Sequence, residues 1–162
     1  MTKQQGGINI RHEFKGSVLT FTGSGTICLE HINKKEWPMI LKKATKIVIG
    51  NGIEIIGKKC FKNLKELSRV TLPDTLRQIG IQAFEGCSNL RFITIPSSVT
   101  YIWPKAFAGC THLGVTLKSR STRFDPDSFD NPSNIRFAEN ETDPMDLRET
   151  VGFLQNKKSN LK

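Results

Sequence analysis

A period of 23 residues governs this chain more than any other feature. Thr45–Leu67 reads TKIVIGNGIEIIGKKCFKNLKEL, Ser68–Leu90 reads SRVTLPDTLRQIGIQAFEGCSNL, and Arg91–Leu113 reads RFITIPSSVTYIWPKAFAGCTHL. Gly114–Ile135, GVTLKSRSTRFDPDSFDNPSNI, continues the series one residue shorter and with the pattern worn. A unit this short cannot bury an apolar face by itself, but stacked units bury one continuous core.

The columns of the repeat say which residues point inward. Phe61, Phe84, Phe107 and Phe129 share one column. Ile56, Ile79, Ile102 and Phe124 share a second, and Leu67, Leu90, Leu113 and Ile135 a third. Ile53, Leu76 and Val99 make a fourth, at which the last unit has Ser121. Short alternating runs recur once per unit: Ile47/Ile49, Val70/Leu72, Ile93/Ile95, Val115/Leu117 and Ile135/Phe137. That is the period of a half-buried strand. Pro73 and Pro96 follow two of the runs and end them, since proline has no N–H to give a ladder. The expected fold is an α/β-type repeat solenoid, right-handed, with a short parallel β-sheet on its concave face.

The fullest unit, Ile93–Leu113, has the pattern I-x-I-P-x-S-V-x-x-I-x-x-x-A-F-x-G-C-x-x-L. It resembles the BspA-like leucine-rich repeats, and the resemblance extends from Thr45 to about Phe137. Gly16–Ile27, GSVLTFTGSGTI, is similar to the strand-turn-strand cap ahead of such repeats, with Val18, Leu19, Phe21 and Ile27 flanking a Gly23-Ser24-Gly25 turn. The resemblance implies a scaffold for adhesion and protein binding, typically extracellular or at the surface of bacteria and some protists. It carries over no catalytic residue. Trp103 and Asp125 depart from the pattern where it has glycine.

A single domain of 162 residues follows. Residues 8–44 form an N-terminal cap, 45–137 about four repeats, 138–156 a capping helix and 157–162 a polar tail. The helix is read from Asp143-Pro144 as N-cap and first-turn proline. Leu147, Val151 and Leu154 then fall on one face. That face either covers the solenoid's end or docks on a partner.

Two surfaces stand out as candidate partner-binding sites. On the loop flank, Tyr101, Trp103 and Ile81 are expected to point outward. Clustered exposed aromatics of this kind are enriched at binding hot spots. The alternative is that Trp103 folds down over its own repeat. On the strands, Arg69, Phe92 and Arg136 are outward and fit an acidic or extended peptide.

Other features read as structural. Cys87 and Cys110 share a column and are read as buried free thiols, with a bridge or a metal pair as the alternative. Asp125, Asp127 and Asp130 fit an ordinary turn better than a calcium site, which needs more oxygen ligands. Asn140-Glu141-Thr142 is a formal glycosylation sequon.

The net charge is +9 and uneven: residues 1–67 hold twelve Lys/Arg against five Asp/Glu. Lys42, Lys43, Lys46, Lys58 and Lys59 could draw a polyanion or nucleic acid. No nucleic-acid module is recognisable, and a solvated face is the simpler reading. The three histidines lie far apart, and there is no phosphate loop, serine elbow or Cys-x-x-Cys. The sequence therefore reads as a non-catalytic protein-binding module without cofactor or metal. Polyanion binding is its rival. The polar start shows no apolar signal core, so surface exposure, a cytoplasmic location and leaderless export all stay open.

Overall fold

The structure, a computed structural model, describes residues 9–28 and 37–138. The chain opens with β1 (Ile10–Lys15), β2 (Val18–Gly23) and β3 (Gly25–Ile27), followed by α1 (Trp37–Lys43). The repeats then alternate longer and shorter strands. The longer ones are β4 (Lys46–Ile49), β6 (Arg69–Thr71), β8 (Phe92–Ile95), β10 (Gly114–Leu117) and β12 (Ile135–Phe137). The shorter ones are β5 (Ile53–Ile56), β7 (Gln78–Ile79), β9 (Tyr101–Ile102) and β11 (Arg123–Phe124).

Two sheets result. The long sheet runs β1-β2-β4-β6-β8-β10-β12 and is parallel apart from the antiparallel β1–β2 pair. The short sheet runs β11-β9-β7-β5-β3 and is parallel throughout. Their inner faces share one core. Leu19, Ile47, Ile93 and Val115 come from the long sheet, and Ile27, Ile56, Ile79 and Ile102 from the short one.

The column residues are buried as the repeat requires. Ring centroids along Phe21, Phe61, Phe84, Phe107 and Phe129 are 5.2–5.6 Å apart, close to the spacing between strands. The last three rings are within 5° of parallel. Trp37 closes the N-terminal end of this spine, edge-on to Phe21 at 5.9 Å, with the His12 ring edge-on to it in turn at 4.8 Å.

Each full unit turns its corner through two left-handed residues. Lys59, Gln82 and Lys105 occupy one such column, with φ of 57–58°. Asn63, Gly86 and Gly109 occupy the next, with φ of 62–77°. The tight corner brings the backbone of successive coils into hydrogen bonding, as in Gly86 N–H to Ala108 O at 2.7 Å.

Several expectations need correction. The second sheet was not anticipated: Ile55, Gln78, Tyr101 and Arg123 share a column because they pair strand to strand. The repeats are not of α/β type, because α1, the one α-helix among the described residues, precedes the first repeat. A 23-residue coil closed by two sharp corners leaves no length for a helix. Gly16–Ile27 does run strand, turn, strand, but its two strands do not pair with each other. β2 and β3 belong to different sheets, and each pairs in parallel with the next coil. The hairpin is β1–β2, turning at Gly16 with φ 63°. In the last unit Thr122, not Ser121, is buried, its hydroxyl donating to Val99 O at 2.8 Å. The expected capping helix, its Leu147, Val151 and Leu154, the sequon and the tail lie outside the described residues.

Candidate interaction surfaces

The loop-flank cluster is built on the short sheet. Gln78 and Tyr101 are register partners on β7 and β9, and Arg123 on β11 pairs with Tyr101. Trp103 follows β9 in the column that holds Gly57 and Gly80. A Cβ at Gly80 would fall 2.7 Å from Ile56 O, so the preceding coils have no room for a side chain there. Trp103 carries one, and it is 40% exposed. Its ring sits edge-on to Tyr101 at 4.9 Å, and its Nε1–H donates to Gln78 Oε1 at 3.1 Å. Both readings of Trp103 hold in part: the ring is anchored to its neighbours, yet a large share of it faces solvent. Tyr101 is half-buried rather than fully outward. Ile81 is exposed and lies in the preceding coil, one residue past Gly80.

The strand candidates lie on the outer face of the long sheet. Arg69 and Phe92 are register partners on β6 and β8, and Arg136 lies beyond them on β12. All three are exposed, Phe92 at 79%.

The rival basic cluster does not come together as a sequence run suggests. Lys42 and Lys43 end α1, and Lys46 lies on the long sheet. Lys58 and Lys59 sit in the turn after the short-sheet strand β5, so the run divides between two walls of the molecule.

Cysteines and aspartates have structural tasks. The four cysteines are thiols rather than disulfides. Cys60, Cys87 and Cys110 each donate Sγ–H to a carbonyl of the preceding coil, of Ile27, Phe61 and Phe84, at 3.0–3.2 Å. The neighbouring Cys87 thiol and burial push the Cys110 pKa well up, which disfavours thiolate chemistry there. Asp125 caps the 3-10 turn Pro126–Ser128, accepting from Asp127 N–H at 3.1 Å. Asp130 accepts the Gly109 N–H through both oxygens, at 2.9 and 3.0 Å. Among the described residues no three His, Cys, Asp or Glu side chains converge as metal ligands would. No helix there is long and apolar enough to cross a membrane.

Comparison with known proteins agrees with this architecture. The sequence matches the BspA type leucine rich repeat region over residues 31–149 in six copies, more than the four units its columns display. A leucine-rich cell surface protein from Faecalibacterium prausnitzii is similar at 25% identity and TM-score 0.52, over 58% of this chain and 25% of that one. A leucine-rich repeat protein from Eubacterium ventriosum is similar at 18% identity and TM-score 0.54, over 82% of this chain and 42% of that one. One from Bacteroides ovatus follows at 19% identity and TM-score 0.52, over 80% and 39%. The match thus spans less than half the length of each of these proteins. No curated protein matches the chain.

Proposed function

The chain belongs to the BspA-type leucine-rich repeat family, and from that premise we propose that it is a non-catalytic module that binds a partner protein through the outer surface of its solenoid. The observation that carries this reading is Trp103. It occupies a glycine column, is held by Tyr101 and Gln78, and still faces solvent. An aromatic fixed before the partner arrives loses little side-chain entropy on binding. Trp, Tyr and Arg are also the residues in which hot spots are richest. Tyr101, Trp103 and the neighbouring Arg123 supply all three, with Ile81 as an adjoining apolar contact. Arg69, Phe92 and Arg136 form a second contact surface. The solenoid supports both roles by keeping its strands in fixed register. The cell-surface setting of the Faecalibacterium relative favours an adhesive role for this chain as well.

The test is a pull-down with wild type, the double variant Tyr101→Ser/Trp103→Ser and the double variant Lys58→Glu/Lys59→Glu, each at low and high salt. The proposal predicts a protein partner retained at high salt and lost with the aromatic variant. Recovery of polyanions alone, lost at high salt and with the lysine variant, would overturn it.

A further inference from the structure

We propose that the outer face of the long sheet is a docking track for an extended acidic segment of a partner protein. This inference rests on the protein-binding reading and deepens its second contact surface, Arg69, Phe92 and Arg136, by giving it an occupant of defined chemistry, on a wall apart from the Trp103 cluster. Side chains alternate along a strand, and register partners share a face. The face therefore carries five cations, Arg11, Lys15, Lys46, Arg69 and Arg136, against one carboxylate, Glu13. The ion pair Lys62–Glu85 lies in the turns, away from this face, and neutralises none of these cations.

The face is organised as well as charged. Lys46, Arg69, Phe92 and Gly114 form one row across four strands. Beside it runs a row of β-branched residues, with Thr20 beside Val48, Val48 beside Thr71 and Thr94 beside Thr116, ending at Arg136. These supply hydroxyls and methyl groups together. Phe92 is the one exposed aromatic among the outward strand positions, and its ring leans over Gly114. A Cβ added at Gly114 would meet Phe92 Cδ1 at 3.2 Å. The glycine thus makes room for a ring that is 79% exposed and has no core to pack into.

Seven strands at the usual spacing make a face about 29 Å wide, which an extended segment of about nine residues would cross. In the long sheet β2, β4, β6, β8 and β10 are paired on both sides, so a segment lying across them meets side chains rather than free backbone. Acidic side chains would meet Lys46 and Arg69, and an apolar one would rest on Phe92. A single-stranded nucleic acid fits less well. Its successive bases need successive stacking partners, and this face offers one.

The experiment is fluorescence anisotropy with the whole chain and a labelled ten-residue Asp/Glu-rich peptide bearing a central Leu. An Asn/Gln version of the same peptide is the control, and heparin and a short single-stranded DNA are parallel probes. The proposal predicts binding of the acidic peptide, at least tenfold weaker binding of the Asn/Gln peptide, and a tenfold or greater loss with Arg69→Glu and with Phe92→Ser. Both sites are exposed, so the variants fold. Trp103→Ser leaves peptide binding unchanged, which separates failure here from failure at the short-sheet cluster. No binding of the acidic peptide overturns the proposal. So does binding indifferent to Phe92→Ser, or tighter Phe92-dependent binding of DNA or heparin.

Discussion

In the full units the corner is closed mainly by backbone hydrogen bonds, with one cysteine thiol added in each, and in the last unit polar side chains take a larger part. Lys59, Gln82 and Lys105 adopt left-handed φ, and Asn63 and Gly86 then pass their N–H groups to carbonyls of the next coil. The last unit is one residue shorter and has no left-handed residue among those described. There Asp125 and Asn131 cap two 3-10 turns, and Asp130 takes the Gly109 N–H that a carbonyl takes elsewhere. Ser128, in the slot held by Ala83 and Ala106, gives its hydroxyl to Ile102 O and Trp103 O at 3.1 Å. A periodic fold thus satisfies its backbone through the period, and where the period breaks, polar side chains do the work.

The largest test of this contrast is in the ring spine. Phe84→Ala, stacked on both sides, should cost about 3–5 kcal/mol. Phe129→Ala, at the end of the stack and 7% exposed, should cost less. Urea unfolding read from the midpoint checks the order, and equal losses would mean that the ring at the end of the stack is held as firmly as one inside it. Next, Ser128→Ala removes a buried donor and should cost about 1–2 kcal/mol by the same measurement. Gln82→Gly relieves a left-handed side chain and should stabilise by up to about 1 kcal/mol. Asp127→Gly, its counterpart in the last unit, should not stabilise.

The smallest effect is on pH. Partial burial lowers the pKa of His12 below its ordinary 6.5. The unfolded chain then takes up the proton first as pH falls, so the native state is favoured fully above about 6.5 and loses stability below it. His12→Gln should flatten unfolding midpoints measured between pH 7 and 5.

The inward half of this fold was legible because burial is periodic. Four phenylalanines 22–23 residues apart have one explanation, and the structure stacks all four. The short sheet was not legible, because strands such as Gln78–Ile79 and Tyr101–Ile102 are two residues long and show no alternation. The shift from Ser121 to Thr122 was hidden because a deletion moves the register without changing composition. Among the site residues, Phe92 and Arg69 were visible as outward positions of an alternating run. Gln78, which anchors Trp103, was missed. Its only sequence signal was sharing Tyr101's column.

In the proposed function, inward ladders make the fold while outward departures, Trp103 first, make the contacts. Trp103→Ser, followed by urea unfolding and by partner capture on the same sample, tests this most directly. The prediction is a stability loss of no more than about 1 kcal/mol, the scale of one exposed hydrogen bond, together with loss of the partner. A loss of several kcal/mol with the partner still bound would make Trp103 a structural cover and contradict the account.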